Sequence, residues 1–142
     1  MTDLATAKVH LPGHSLCLCR AGEWFTDDGR GISPMMKLIA AGRDLNGYAA
    51  ADVIIGRAAA MLFIRSGIVA VHGDVMSEGA RETLTEHGIP CTFGTLTDKI
   101  INRRGDGICP MEAAVIGISD LDEGYAALTK QWLAMTGAQK QE

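Results

Sequence analysis

A chain of 142 residues is about one domain's worth, enough to bury roughly two thirds of its unfolded surface without disulfide or metal staples. With 47% hydrophobic residues and 17 glycines, intrinsic disorder is excluded. Seventeen acids against 13 Lys and Arg leave a net charge of −4 with no basic run, which argues against a nucleic-acid partner. The longest apolar run, 58–64, falls far short of the roughly 20 residues that cross a bilayer, so no membrane partner is expected. Alanine is abundant and aromatics make up only 5%, which suits helices packed closely on a sheet. Asp3 follows Met1 closely and no apolar core precedes Gly13, so no secretory signal is read and the expected location is cytoplasmic. There Cys17, Cys19, Cys91 and Cys109 are expected as reduced thiols.

Residues 1–12 read as a loosely held lead-in. From 14 to 20 the pattern alternates, and after Ala21-Gly22 the run 23–26 completes a β-hairpin. Asp27-Asp28-Gly29 breaks the chain, and Ser33-Pro34 starts a helix with a hydroxyl cap and a proline in its first turn. Met35, Met36, Leu38, Ile39 and Ala40 form its apolar stripe, which ends near Gly42. A buried strand over 48–55, interrupted by Asp52, stops at Gly56; a buried helix follows over 57–66, and a continuous apolar strand over 68–72. Ser77 caps the next helix, with Glu78, Glu82 and Glu86 toward water and Ala80 and Leu84 inward. A short strand at 89–93 and a helical turn or two at 96–101 come next. Asp120 opens a terminal amphipathic helix through Tyr125, Leu128, Trp132, Leu133 and Met135. A hairpin followed by alternating helix and strand predicts one α/β domain over 1–142. Its expected architecture is a three-layer α/β/α sandwich with a mixed sheet, parallel in its second half.

The unit 56–93, with helix endings at Ser66-Gly67 and His87-Gly88-Ile89 around the strand 68–72, resembles the core of the cytidine-deaminase-like fold. In that fold the first helix opens with His-or-Cys, any residue, Glu, and the second with Pro-Cys, two residues, Cys; these hold zinc and shuttle protons. Aligned from the two glycine stops, the ligand positions fall on Ile54, Ser77 and Ala80 and the Glu position on Gly56. The resemblance therefore implies a scaffold without metal or cofactor and without zinc-dependent deamination. A closer resemblance, over about 14–128, is to domain-of-unknown-function family 1893. It is carried by Ile32-Ser33-Pro34, Gly56-Arg57-Ala58-Ala59-Ala60, Met76-Ser77-Glu78 and the long run from Ile101-Asn102-Arg103-Arg104-Gly105-Asp106 through Cys109-Pro110-Met111-Glu112. It implies a fold and no established activity.

The stretch 102–112 holds most of the chemistry. Cys109 before Pro110 reads as a helix start, where the dipole and the nearby Arg103 and Arg104 favour a reactive thiolate, with Asp106, Glu112 or His72 assisting. The same arrangement suits an anion, and equally the cysteine is small core filler and the glycine loop a solvated turn. Glu112 reads either as a capping-box partner within its own helix or as an acid or base. Arg57 either holds a carboxylate or phosphate or pairs with Asp52 or Glu78; Ser77 and Glu78 read as a cap and a first-turn acid that also border the pocket. His72 reads as a satisfied structural histidine that can also approach the site, while Cys17 and Cys19 make a weak metal pattern and Cys91 core packing. The leading functional expectation is a small anionic, nucleoside- or nucleotide-like ligand held by Arg57, Ser77, Glu78, Asn102 and Arg103. The alternatives are a Cys109-dependent enzyme and a structural protein that pairs as a homodimer.

Overall fold

A computed structural model describes residues 1–101, 105 and 107–140. In chain order the elements are α1 (Asp3–His10), β1 (Leu16–Arg20), β2 (Glu23–Asp27), α2 (Ser33–Ala40), β3 (Ala49–Ile55) and α3 (Arg57–Arg65), followed by β4 (Ala70–Ser77), α4 (Glu78–Glu86), β5 (Cys91–Thr97), α5 (Pro110–Ala114) and α6 (Leu121–Lys140). The five strands form one sheet in the order β2-β1-β3-β4-β5. β1 is antiparallel to both β2 and β3, whereas β3, β4 and β5 run parallel, so the sheet is mixed and parallel in its second half. The connections that begin with α3 and α4 are the helical crossovers that parallel pairs require.

The main core lies on the face covered by α2 to α6. Leu16, Leu18, Ala50, Ile55, Val71 and Met76 of the sheet pack there against Met35 and Met36 of α2, Ala80 and Leu84 of α4, and Leu128 of α6. α3 runs through the middle, and its six residues from Ala58 to Phe63 are all buried. Small side chains at its start allow that depth, as the alanine-rich composition suggests. Arg65 fastens the end of α3 to α6, through an ion pair with Asp122 at 3.0 Å and by lying 4.1 Å over the Tyr125 ring.

The opposite face holds the first correction. Residues 1–12 are no loose lead-in: Thr2 caps α1 by accepting from Ala5 N at 3.1 Å, and Ala7 and Leu11 are buried against Cys17, Cys19 and Ala51. The Asp3 carboxylate accepts from the backbone N–H groups of Ala21 and Gly22, each at 3.0 Å, and those bonds hold its pKa below the ordinary value. Both turn residues have positive φ, which aims their N–H groups at α1. The helix escapes periodicity because Ala7 is the one fully buried residue within it, with Leu11 at its C-cap. Helices thus cover both faces, giving three layers.

Three further expectations change. Ser33 lies inside α2, with Ile32 at the cap, and its hydroxyl instead accepts from Trp132 Nε1 at 3.1 Å. β4 continues past His72 to Ser77, and β5 runs to Thr97, so Leu96 and Thr97 are strand rather than helix. The parallel ladder explains both extensions: Val75, Met76 and Ser77 pair with Thr95, Leu96 and Thr97, and threonine-rich sequence suits a pleated surface. Beyond β5 no helix forms at 98–101, and Ile101 instead bridges Ile108.

Candidate functional site

The carboxyl ends of β3 and β4 feed directly into α3 and α4, the position at which open α/β sheets place their sites. A cleft of about 320 Å³ opens there. Arg57, Ser77 and Gly79 line it from the two helix starts, Asp98 and Lys99 from the segment after β5, and Ile108, Glu112, Ile116 and Gly117 from around α5.

Its floor is a reciprocal clamp. Gly56 is the N-cap of α3 and has no side chain to offer the first backbone N–H groups of the helix. Glu112 of α5 supplies the acceptors instead: Oε1 accepts from Arg57 N and Oε2 from Ala58 N, each at 2.7 Å. A Cβ at position 56 would overlap that carboxylate, so the close approach requires glycine. In return the Arg57 guanidinium donates through Nη1 to the Val115 carbonyl at 2.5 Å and through Nη2 to the Ile118 carbonyl. Val115 is the C-cap of α5 and its carbonyl also accepts from Ile118 N at 3.1 Å, so Arg57 is a second donor that fastens the turn after α5 to the start of α3.

This arrangement corrects two expectations. Arg57 pairs with neither Asp52 nor Glu78, because both of its terminal nitrogens are taken by the Val115 and Ile118 carbonyls of the turn after α5. Glu112 is not a capping-box partner within α5; it caps α3, 55 positions away along the chain. Ser77 does cap α4, accepting from Ala80 N at 3.0 Å, and lines the cleft as well. Glu78 is exposed and lies outside the lining. Cys109 is the half-buried N-cap of α5, makes no side-chain capping bond, and does not line the cleft. Asn102, Arg103, Arg104 and Asp106 lie outside the described residues.

His72 is held within the sheet away from the cleft lining. Its Nε2 faces Asp74 Oδ1 at 3.3 Å and its Nδ1 the Thr92 hydroxyl at 2.7 Å, so both ring nitrogens have partners. Burial pushes the Cys17 thiol up to about 11 and also raises the thiols of Cys19 and Cys91. Among the described residues no group of three His, Cys, Asp or Glu side chains is placed to hold a metal ion, and no helix is long and apolar enough to cross a membrane.

Gly79, Asp98, Lys99, Ile108, Ile116 and Gly117 join the lining without having been singled out as site residues in the sequence. The available signal was Gly79 one residue past a capped helix start, where a bare backbone leaves space. Chemically, the wall offers the Lys99 amine, the Asp98 carboxylate, the Ser77 hydroxyl and the remaining guanidinium N–H groups of Arg57. Beside them stand the apolar Ile108 and Ile116, 39% and 67% exposed.

Comparison with known proteins adds family and fold. The family model described as Domain of unknown function (DUF1893), TM1506, matches residues 5–131. The crystal structure of a DUF1893 family protein (TM1506) from Thermotoga maritima is similar with a TM-score of 0.75 and 22% identity, over 82% of this chain and 80% of that one. No curated protein matches.

Proposed function

The chain belongs to the DUF1893 family, and from that premise and the cleft we propose that it is a binding module for a small anionic metabolite of nucleoside- or nucleotide-like character. The observation that carries this reading is the meeting of Arg57, Ser77 and Glu112 in one cleft at the carboxyl ends of two parallel strands. The Glu112 carboxylate is engaged by the start of α3, and the Arg57 guanidinium and the Lys99 amine, with the Asp98 carboxylate beside them, are the groups left to meet the polar part of a ligand. Ile108 and Ile116 offer an apolar wall to a base or similar flat body. The strand order and the crossovers through α3 and α4 are compatible with a deaminase-like scaffold in which Ile54, Gly56, Ser77 and Ala80 occupy the zinc and proton-shuttle positions.

Thermal-shift screening with nucleosides, nucleotides and small carboxylates, followed by calorimetry, tests the reading. A ligand at about a hundred times its dissociation constant stabilises the fold by about 2.7 kcal/mol, which a melting curve resolves. Gly79→Phe fills the cleft from a position whose added Cβ meets only ordinary contacts at 3.9 Å, so it is expected to abolish the shift while the protein stays folded. A flat response across the panel, or a shift that persists in Gly79→Phe, would refute the assignment.

A further inference from the structure

The cleft has a second lobe. A cavity of about 180 Å³ adjoins it, and Arg57 and Gly79 belong to the walls of both. A Cβ added to Gly79 would stand 3.9 Å from Arg57 Cβ and Cδ, so the bare backbone of Gly79 lies against the Arg57 stem where the lobes meet. Glu82, Thr83 and Glu86 of α4, its C-cap His87 and Ser119 complete the second lobe.

The lobes differ in chemistry. The first mixes the Lys99 amine and the Asp98 carboxylate with an apolar wall, whereas the second offers chiefly acceptors. The Thr83 hydroxyl donates to the Gly79 carbonyl at 2.8 Å, which leaves its oxygen lone pairs free to accept. His87 Nδ1 faces the Thr83 carbonyl at 2.9 Å; a carbonyl only accepts, so Nδ1 carries the proton and Nε2 of the neutral ring is an acceptor. The Ser119 hydroxyl can do either, and the Glu82 and Glu86 carboxylates can only accept. Among the described residues neither carboxylate enters an ion pair, and the Arg57 guanidinium is turned to the Val115 and Ile118 carbonyls. Helix stability does not account for these acids. Glu78, Glu82 and Glu86 set like charges one turn apart, and Glu86 stands in the last turn of α4, where no basic residue offsets the negative end of the dipole. Both arrangements work against the helix, and a cation in the lobe would relieve both.

We propose that the metabolite of this cleft is zwitterionic: a nucleotide-like anion that also carries an ammonium or guanidinium group, which the second lobe holds against Glu82 and Glu86. The inference rests on the anion-binding reading of the first lobe and adds a second charge to it. The anionic group lies toward Lys99 and Ser77, the flat body against Ile108 and Ile116, and the cation beyond Gly79. With no side chain at position 79, one molecule can reach from lobe to lobe. Hydrogen bonds between a cationic nitrogen and a carboxylate are stronger than neutral ones, and the neighbouring acceptors of Thr83 and His87 suit a group with several N–H donors.

Calorimetry on the full chain with matched probes tests the second charge. The probes are adenosine 5′-monophosphate, its aminohexyl derivatives linked at the base amine and at the phosphate, and the N-acetylated twin of each derivative. At least one amine-bearing probe is expected to bind about tenfold or more tightly than its acetylated twin. Glu82→Gln combined with Glu86→Gln should bring that ratio down to about one. Both residues are exposed, and the substitution removes like charges from α4, so the free double variant is expected to melt no lower than the parent. Equal affinity within every pair of twins, while adenosine 5′-monophosphate itself binds, overturns the second charge and leaves the anion reading standing. A ratio that persists in the double variant also overturns it. So does a double variant that melts well below the parent, because the two acids are then structural. Binding by none of the probes overturns the nucleotide reading and this inference together.

Discussion

Gly56 and Glu112 act as one unit although neither is informative alone. Replacing Glu112 with Ala leaves the N–H groups of Arg57 and Ala58 without their acceptors, an expected loss of about 1–3 kcal/mol in chemical denaturation. Gly56→Ala should lose a similar amount by the opposite route, since the new methyl displaces the carboxylate. If the two losses share this cause, the double variant is no worse than the more damaging single one. Asp52 gives a different signature. Burial, reinforced by the nearby Asp74 carboxylate, raises its pKa from 3.8 to about 7, against backbone N–H bonds from Ile54 and Val53 that lower it. The unfolded chain therefore releases this proton first, and stability falls as pH rises from about 4 to 7 and stays low above that. Asp52→Asn is expected to remove that slope and to stabilise the protein at pH 8 by on the order of 2–4 kcal/mol, measurable by urea unfolding across pH.

At the scale of elements, two short helices have effects larger than their length suggests. α5 has five residues and no buried side chain, yet it supplies the carboxylate that starts α3 and receives the guanidinium of Arg57 in return. A helix so short is marginal by itself and is held by these tertiary contacts. α1 does comparable work on the other face, where it covers Cys17 and Cys19, both 0% exposed. Removing residues 1–12 is expected to make these two thiols react rapidly with a disulfide reagent under native conditions, whereas in the full chain they should react only after unfolding. Equal labelling rates in the two proteins would remove α1 from its covering role.

Across the whole molecule, the core is assembled around α3, which meets α2, α4, α5 and α6. Its alanines allow that crowding. Ala60 is fully buried, and Ala60→Leu is expected to cost about 1–3 kcal/mol and to broaden the melting transition. The same small residues keep α3 close behind the cleft, so stability and site geometry depend on one packing arrangement.

Several elements were legible in sequence because their signals are local. The alternation of Leu16 to Arg20 gives the hairpin, Ser77 marks the start of α4, and the apolar run around Ala58 to Ile64 gives the buried α3. The helix-strand alternation likewise determines a mixed, partly parallel sheet. α1 was not legible, since Ala7 alone is fully buried within it and one residue makes no period, and neither were the full lengths of β4 and β5, which depend on each other's ladder. Of the candidate site, the sequence supplied Arg57, Ser77 and Glu112 as polar residues beside helix starts, with roles left open. Only the tertiary structure decided that Glu112 caps α3 and Arg57 fastens the turn after α5, because those partners stand 55 and 58 positions apart. Backbone groups at helix ends must find partners, and which side chain supplies them is settled by packing in space rather than by neighbours along the chain.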